Sequence, residues 1–279
     1  MQIPVVPARE PHAQPAGQGR RGDLAGLPAG LSRRDRVRAS TSQEIIQTAR
    51  RLLISQGSAA LSLRAIAREM GMTAPALYRY FGSYETLIHH VVADIFAELS
   101  DYVEAAVSAA QPDQAGGPTS ADAAAAGMMA GCRAFRQWSV AHPAEFAMIF
   151  GAPLPGVDLH QYHDDPLMEC GKRFGQIFMR LFVDLWQIQP FHVPADADMA
   201  PQFRAQLGRY RDALGTDLPL GVLQTFLRCW VSLYGTVTLE VFGHLRFALD
   251  DPAQMFELML TDLAAMIGLR YPRPEPQAT

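Results

Sequence analysis

An all-α fold follows from three features of this 279-residue sequence. Apolar residues recur every three or four positions through most of it, the spacing that gives a helix one apolar face. Runs of Val, Ile and Thr in strand-like alternation are nearly absent. Breaks rich in Pro and Gly cut the periodic stretches into separate segments.

Residues 1–40 are rich in Pro, Gly, Gln and Arg and poor in apolar side chains, so disorder is expected. The Arg33–Arg38 cluster at their end has two open uses: an arm against a polyanion, or a solvated tail. Helix one is expected at 41–56, where Ile45, Ala49, Leu52 and Leu53 share a face and Gly57 ends the run. Arg50 and Arg51 lie off that stripe, toward phosphate or solvent.

Residues 62–81, SLRAIAREMGMTAPALYRYF, read as helix, tight turn and helix. Ser62 suits an N-cap, and Ile66, Ala67 and Met70 form a narrow apolar stripe. Gly71 falls where the chain must reverse. Thr73 is expected to cap the second helix, with Pro75 in its first turn. Leu77 and Phe81 pack inward, which leaves Thr73, Ala76, Tyr78, Arg79 and Tyr80 outward. Such a unit has the shape of a DNA-reading helix pair, although helical hairpins of other kinds share its spacing.

A long helix is expected from Ser83 to near Ala110, then a break at 111–120 and an Ala-rich helix at 121–141. His142-Pro143 stops and restarts the chain, and 151–165 is a loop. Helices are expected at 166–187, 200–214, 220–249 and 252–269, followed by a Pro-rich tail.

Charge is divided unevenly. Residues 33–82 carry nine Arg against Asp35, Glu44 and Glu69, or +6, whereas residues 83–279 carry −11 within a total of −4. A basic head on an acidic body suits contact with a polyanion by the head alone. The hydrophobic fraction of 49% supports an ample core, and no apolar run approaches the ~18 residues of a membrane span. The N-terminal stretch lacks a continuous apolar core of signal-peptide type, and Cys132, Cys170 and Cys229 are too scattered for a disulfide or metal framework. A cytoplasmic protein without cofactor or membrane partner is expected.

The stretch TSQEIIQTARRLLISQGSAALSLRAIAREMGMTAPALYRYFGSYETLIHHV (41–91) resembles the N-terminal domain of the tetracycline-repressor (TetR) family of bacterial transcription regulators. The resemblance implies a supporting helix at 63–70, a recognition helix at 73–81 and a phosphate contact where the next helix begins near Ser83. Tyr84 stands where family members often carry Lys. Two later stretches, WSVAHPAEFAMIFGAPLPG and WVSLYGTVTLEVFGHL, resemble a C-terminal class of these regulators marked by a Trp–His–Gly pattern, with Tyr234 here in the His position.

By this resemblance the chain divides into a disordered basic tail (1–40), a helix–turn–helix DNA-binding domain of three helices (41–87), an all-helical effector-binding and dimerisation domain (88–271) and a loose tail (272–279). The implied DNA-contacting set is Arg38, Ser62, Arg64, Thr73, Ala74, Pro75, Ala76, Tyr78, Arg79, Tyr80, Ser83 and Tyr84. An effector pocket is expected among Phe135, Trp138, His142, Met148, Met168, Phe174, Phe178, Phe226, Trp230 and Tyr234. Its polar groups would come from Arg136, His142, Arg173, Arg228, Tyr234 or Glu240, and core packing is the alternative use of the bulky ones. The last two helices are apolar around much of their girth, so Leu223, Leu227, Val231, Val241, Phe256, Met259 and Leu263 are expected at a dimer interface.

His160, His163, Asp164 and Asp165 are ligand types, but they are also ordinary turn residues, and no metal is expected. Nucleophile elbow, phosphate-cradling loop, HExxH and CxxC patterns are all missing from the sequence. The expected function is a homodimeric regulator, a repressor of palindromic double-stranded DNA released by a small, mostly apolar effector. Two alternatives stand beside it: a regulator without an effector, and a helical enzyme or carrier with a vestigial basic head.

Overall fold

The computed structural model describes residues 32–58, 61–111, 118, 120–151, 166–269 and 271, and gives the backbone alone for 166–169. The 1–31 segment, the 160–165 run, the Met168 side chain and the 272–279 tail lie outside the described residues. Ten α-helices and one short 3-10 turn make up the described chain, which contains no strand.

The first helix, α1, runs Arg33–Gln56 and so starts eight residues before the expected position. Disorder up to residue 40 is therefore corrected for 33–40. Ser32 caps the helix by accepting from the Asp35 N–H at 3.2 Å, Asp35 places an acid in the first turn, and neither Gly nor Pro occurs between Arg33 and Gly57. Helices α2 (Leu63–Glu69) and α3 (Ala74–Phe81) complete the head. The long α4 (Tyr84–Ala110) then runs from head into body, where it packs along α5 (Ala121–Ala141) and α7 (Pro166–Ile188).

Between α5 and α6 (Pro143–Phe150) the chain turns at His142, with Pro143 in the first turn of α6. His142 Nδ1 lies 2.9 Å from the Trp138 carbonyl, which can only accept, so Nδ1 carries the proton. Helix α8 (Pro201–Leu214) packs on α9 (Leu220–Val241), which also meets α5 and α10 (Ala253–Met266). α9 ends at Val241 rather than at 249. Gly243, at φ +70°, sends its N–H to Glu240 and leaves that of His244 to reach Leu239 at 2.8 Å, closing the helix end. Leu245 and Leu249 continued the apolar spacing past this stop.

Head and body share an ionic seam. Asp94 of α4 accepts from Gln43, Gln47 and Arg50 of α1 at 2.8, 3.1 and 2.8 Å. Arg50 also reaches Glu98 at 2.8 Å, and Glu98 accepts from the Trp138 indole of α5. Burial acts to lower the Arg50 pKa, and the hydrogen bonds to Glu98 and Asp94 outweigh it to raise the value. Arg50 is thus buried in this seam and is not turned toward phosphate.

Candidate nucleic-acid interface and body cavity

Local rules fix the geometry of α2 and α3. Ser62 Oγ accepts from the Ala65 N–H at 3.1 Å, capping α2. At its other end Gly71 takes φ +64°, and the Met72 N–H reaches back to the Ala67 carbonyl at 2.8 Å. A Cβ at Gly71 would touch nothing within 4 Å, so the requirement is for backbone conformation and not for space.

Leu77 and Phe81 are buried and anchor α3, with the Phe81 ring edge-on to His90 at 5.4 Å. The opposite edge carries Thr73, Pro75, Tyr78 and Arg79, all exposed, and Tyr78 shows 52% of its surface. Ala74, Ala76 and Tyr80 are half-buried at its margins. The Thr73 backbone opens the helix, but its hydroxyl makes no capping bond, contrary to expectation. The first-turn N–H of Pro75 is missing by nature, which leaves one donor fewer to satisfy.

Arg64 and Arg68 are exposed on α2. Ser83 Oγ caps α4 by accepting from the Thr86 N–H at 3.0 Å, so the positive end of a 27-residue helix lies beside α3. Tyr84 is half-buried there, and burial pushes its phenol up, so it stays neutral. Arg38 donates to the Arg79 carbonyl at 3.1 Å and lies 5.9 Å from the centre of the Tyr80 ring. The result is one contiguous edge of hydroxyls, guanidinium groups and a helix N-terminus, suited to phosphate and base edges.

In the body, a small, partly open cavity lies among α5, α7, α9 and α10. Met128, Met129, Cys132, Phe178, Phe182, Phe226, Cys229, Trp230, Leu233, Leu260, Leu263 and Ile267 line it. Its volume is about 40 Å³, room for a few water-sized groups. The wall holds no charged side chain. Burial pushes the Cys132 thiol up to about 12 and the Cys229 thiol up to about 11, so both stay protonated and unreactive.

Phe178, Phe226 and Trp230 are the expected pocket residues found in this wall. Phe135, Trp138, His142, Met148, Phe174 and Tyr234 are not. Phe135 and Phe174 are buried behind the wall, 6.3 and 5.9 Å from the Trp230 ring. Trp138 stacks on His142 at 4.7 Å and spends its N–H on Glu98; Met148 is buried on α6. Tyr234 donates to the Phe150 carbonyl at 2.9 Å. Of the expected polar groups, Arg136 pairs with Glu240 at 2.6–2.7 Å and Arg173 with Asp101 and Glu104, while Arg228 is exposed. Met128, Met129, Cys132, Phe182, Cys229, Leu233, Leu260 and Ile267 escaped sequence reading. Their helical spacing on four separate segments was the available signal.

The expected interface set also divides. Leu223, Phe256 and Leu263 are buried within the single chain, the last in the cavity wall, and so present no surface to a partner. Leu227, Val241 and Met259 are half-buried. Val231 is 66% exposed, Leu239 of α9 and Phe242 at its C-cap fall on the same side by helical spacing, and Met255 and Leu258 of α10 are exposed as well.

Comparison with known proteins agrees with both halves. Residues 45–91 match the family described as "Bacterial regulatory proteins, tetR family", and residues 128–263 match "Tetracyclin repressor-like, C-terminal domain". HTH-type transcriptional regulator Rv1816 of Mycobacterium tuberculosis is 31% identical over 241 residues, which cover 85% of this chain and 95% of the relative. HTH-type transcriptional regulator Mb1846 of Mycobacterium bovis matches to the same extent. Among solved structures, regulatory protein SCO4313 superposes with a TM-score of 0.62 at 27% identity, covering 84% of this chain and all of the other. A protein from Rhodococcus sp. RHA1 shares the fold at TM-score 0.53 and 20% identity, over 82% and 95% of the two chains.

Proposed function

This chain belongs to the tetR family of bacterial regulatory proteins, and from that premise we propose that it is a homodimeric repressor released from operator DNA by a small, neutral, apolar effector. As a transcriptional regulator with a DNA-binding head it is not an enzyme. Among the described residues no helix is long and apolar enough to cross a membrane.

The observation that carries the reading is the exposed edge of α3, held between the Gly71 turn and the capped start of α4. Thr73, Ala74, Pro75, Ala76, Tyr78, Arg79 and Tyr80 enter a major groove, while Ser62, Arg64 and the Ser83–Tyr84 end of α4 position the head on phosphates. The exposed apolar side chains Val231, Leu239 and Phe242 at the end of α9, with Met255 and Leu258 on α10, support pairing with a second copy. Two heads related by that axis read two half-sites.

The effector occupies the cavity among α5, α7, α9 and α10. It releases DNA by binding more tightly to an arrangement in which the heads are out of register with the operator. A neutral ligand is favoured because the wall holds no charged partner that could repay the desolvation of an ion. The small size of the cavity favours a second reading, a regulator whose body only dimerises. Thermal shift against neutral aromatic compounds separates the two, since a ligand for the folded state raises Tm.

Selection of bound sequences from random duplex DNA tests the main proposal. A palindrome with half-sites one helical turn apart is expected. Recovery of no preferred sequence would remove it.

A further inference from the structure

We propose that the first two turns of α1, from Arg33 to Ser40, form a second DNA-contacting element, which grips backbone phosphates beside the stretch met by α3. It rests on the reading of the head as DNA-binding. Three observations carry it.

The segment has a defined shape. It continues α1 without a break and is capped by Ser32, so its arginines project from a stiff rod instead of a loose tail. An exposed helix of this length would be marginal by itself, and continuity with the buried part of α1 supports it.

The rod is tied to the recognition helix. Arg38 donates to the Arg79 carbonyl at 3.1 Å and lies 5.9 Å from the Tyr80 ring centre. Arg34 stands one turn before Arg38 on the same side of the helix, and therefore on the side that meets α3.

The charge is unspent. Arg33, Arg34 and Arg36 are exposed and form no ion pair among the described residues. The local acid, Asp35, accepts from the Ser32 hydroxyl at 2.7 Å. From Arg33 to Thr41 the rod adds about 12 Å, the rise of roughly three to four base pairs. Three free guanidinium groups joined to a groove-reading helix suit the duplex phosphate backbone. The acidic body of a second copy is the competing occupant.

The test measures the salt dependence of full-length protein binding to random-sequence duplex DNA. Wild type is compared with R33A/R34A/R36A, R33K/R34K/R36K and Arg79→Ala. Alanine is the best helix former, so the triple alanine variant keeps the rod while removing its charge. Its slope of log affinity against log salt should be shallower by roughly 1–3 per subunit, about 0.9 for each phosphate that is no longer neutralised, with Arg34 on the α3 side contributing first. The lysine variant should restore the wild-type slope. A wild-type slope in the alanine variant, with Arg79→Ala weakened, overturns the proposal and leaves the recognition helix intact. A change in dimer mass with no change in slope assigns the charge to the partner's body and also overturns it. Absence of DNA binding by wild type defeats the reading of the head itself, and this inference with it.

Discussion

Arg50 of α1 lies 3.7 Å from Glu145 of α6, so a residue of the DNA-binding head is held by the first turn of a body helix. Both side chains are nearly excluded from solvent, and Asp94 and Glu98 complete the guanidinium's surroundings. Arg50→Leu strands three carboxylates without a cation and should cost about 3–5 kcal/mol in urea unfolding. Glu145→Gln leaves Arg50 with two partners and should cost less than half as much. Equal losses from the two substitutions would mean that Glu145 is the dominant partner and that the seam is wrongly apportioned.

Arg79→Ala removes an exposed side chain of α3 that supports nothing in the core. Operator affinity at fixed salt should fall by about 1–3 kcal/mol, roughly five- to 150-fold. Dimer mass and Tm should stay at wild-type values. Unchanged affinity in a gel shift would remove Arg79 from the interface.

Leu260 is fully buried in the cavity wall. Leu260→Ala should destabilise the protein by about 2–5 kcal/mol and enlarge the cavity. Benzene should then raise Tm more in the variant than in wild type, because only a ligand bound to the folded state restores stability. An equal response in both would place benzene elsewhere.

Val231 lies on the exposed face of α9. Val231→Asp puts a charge where a second copy would bury it, and the variant should sediment as a monomer with weakened operator binding. A dimer of undiminished affinity would move the interface off this face.

Glu257 of α10 accepts from Arg133 Nε and Nη2 at 3.1 Å and from the Tyr271 hydroxyl. Burial pushes its carboxyl up; the hydrogen bonds from Arg133 and Tyr271, with the Arg133 and Arg136 charges, outweigh that and hold it below the usual range. A lowered folded value contributes stability in full above the unfolded carboxyl value, about pH 4.3, and loses it as pH falls through the folded value. Glu257→Gln should therefore lower Tm near neutral pH, with the two proteins converging on acidification below about pH 4.3. Parallel pH curves would exclude this contribution.

The helix pair of the head was legible because its determinants are local. Gly71, Pro75 and the Leu77–Phe81 spacing each dictate backbone or burial without help from distant residues. The start of α1 was not legible by composition, since a run of Arg, Ser and Thr reads as tail; the lack of Gly and Pro, with Ser32 three residues before Asp35, was the signal. Leu223, Phe256 and Leu263 show a different limit. A helix with a broad apolar girth announces two neighbours, but which side meets its own subunit depends on how the body closes. The same limit separated the cavity wall from Phe135 and Phe174 just behind it.

α4 is 27 residues long, about 40 Å, with the head at one end and α5 and α7 packed along it. Leverage follows from that length. Pivoting on its far end, a five-degree swing carries the near end about 3.5 Å, close to one nucleotide step along a DNA strand. In the proposed release, a displacement of a few tenths of an ångström beside the pivot would be enough to take a bound head past its neighbouring base, so a switch of that kind would ask little of the tightly packed interior around it.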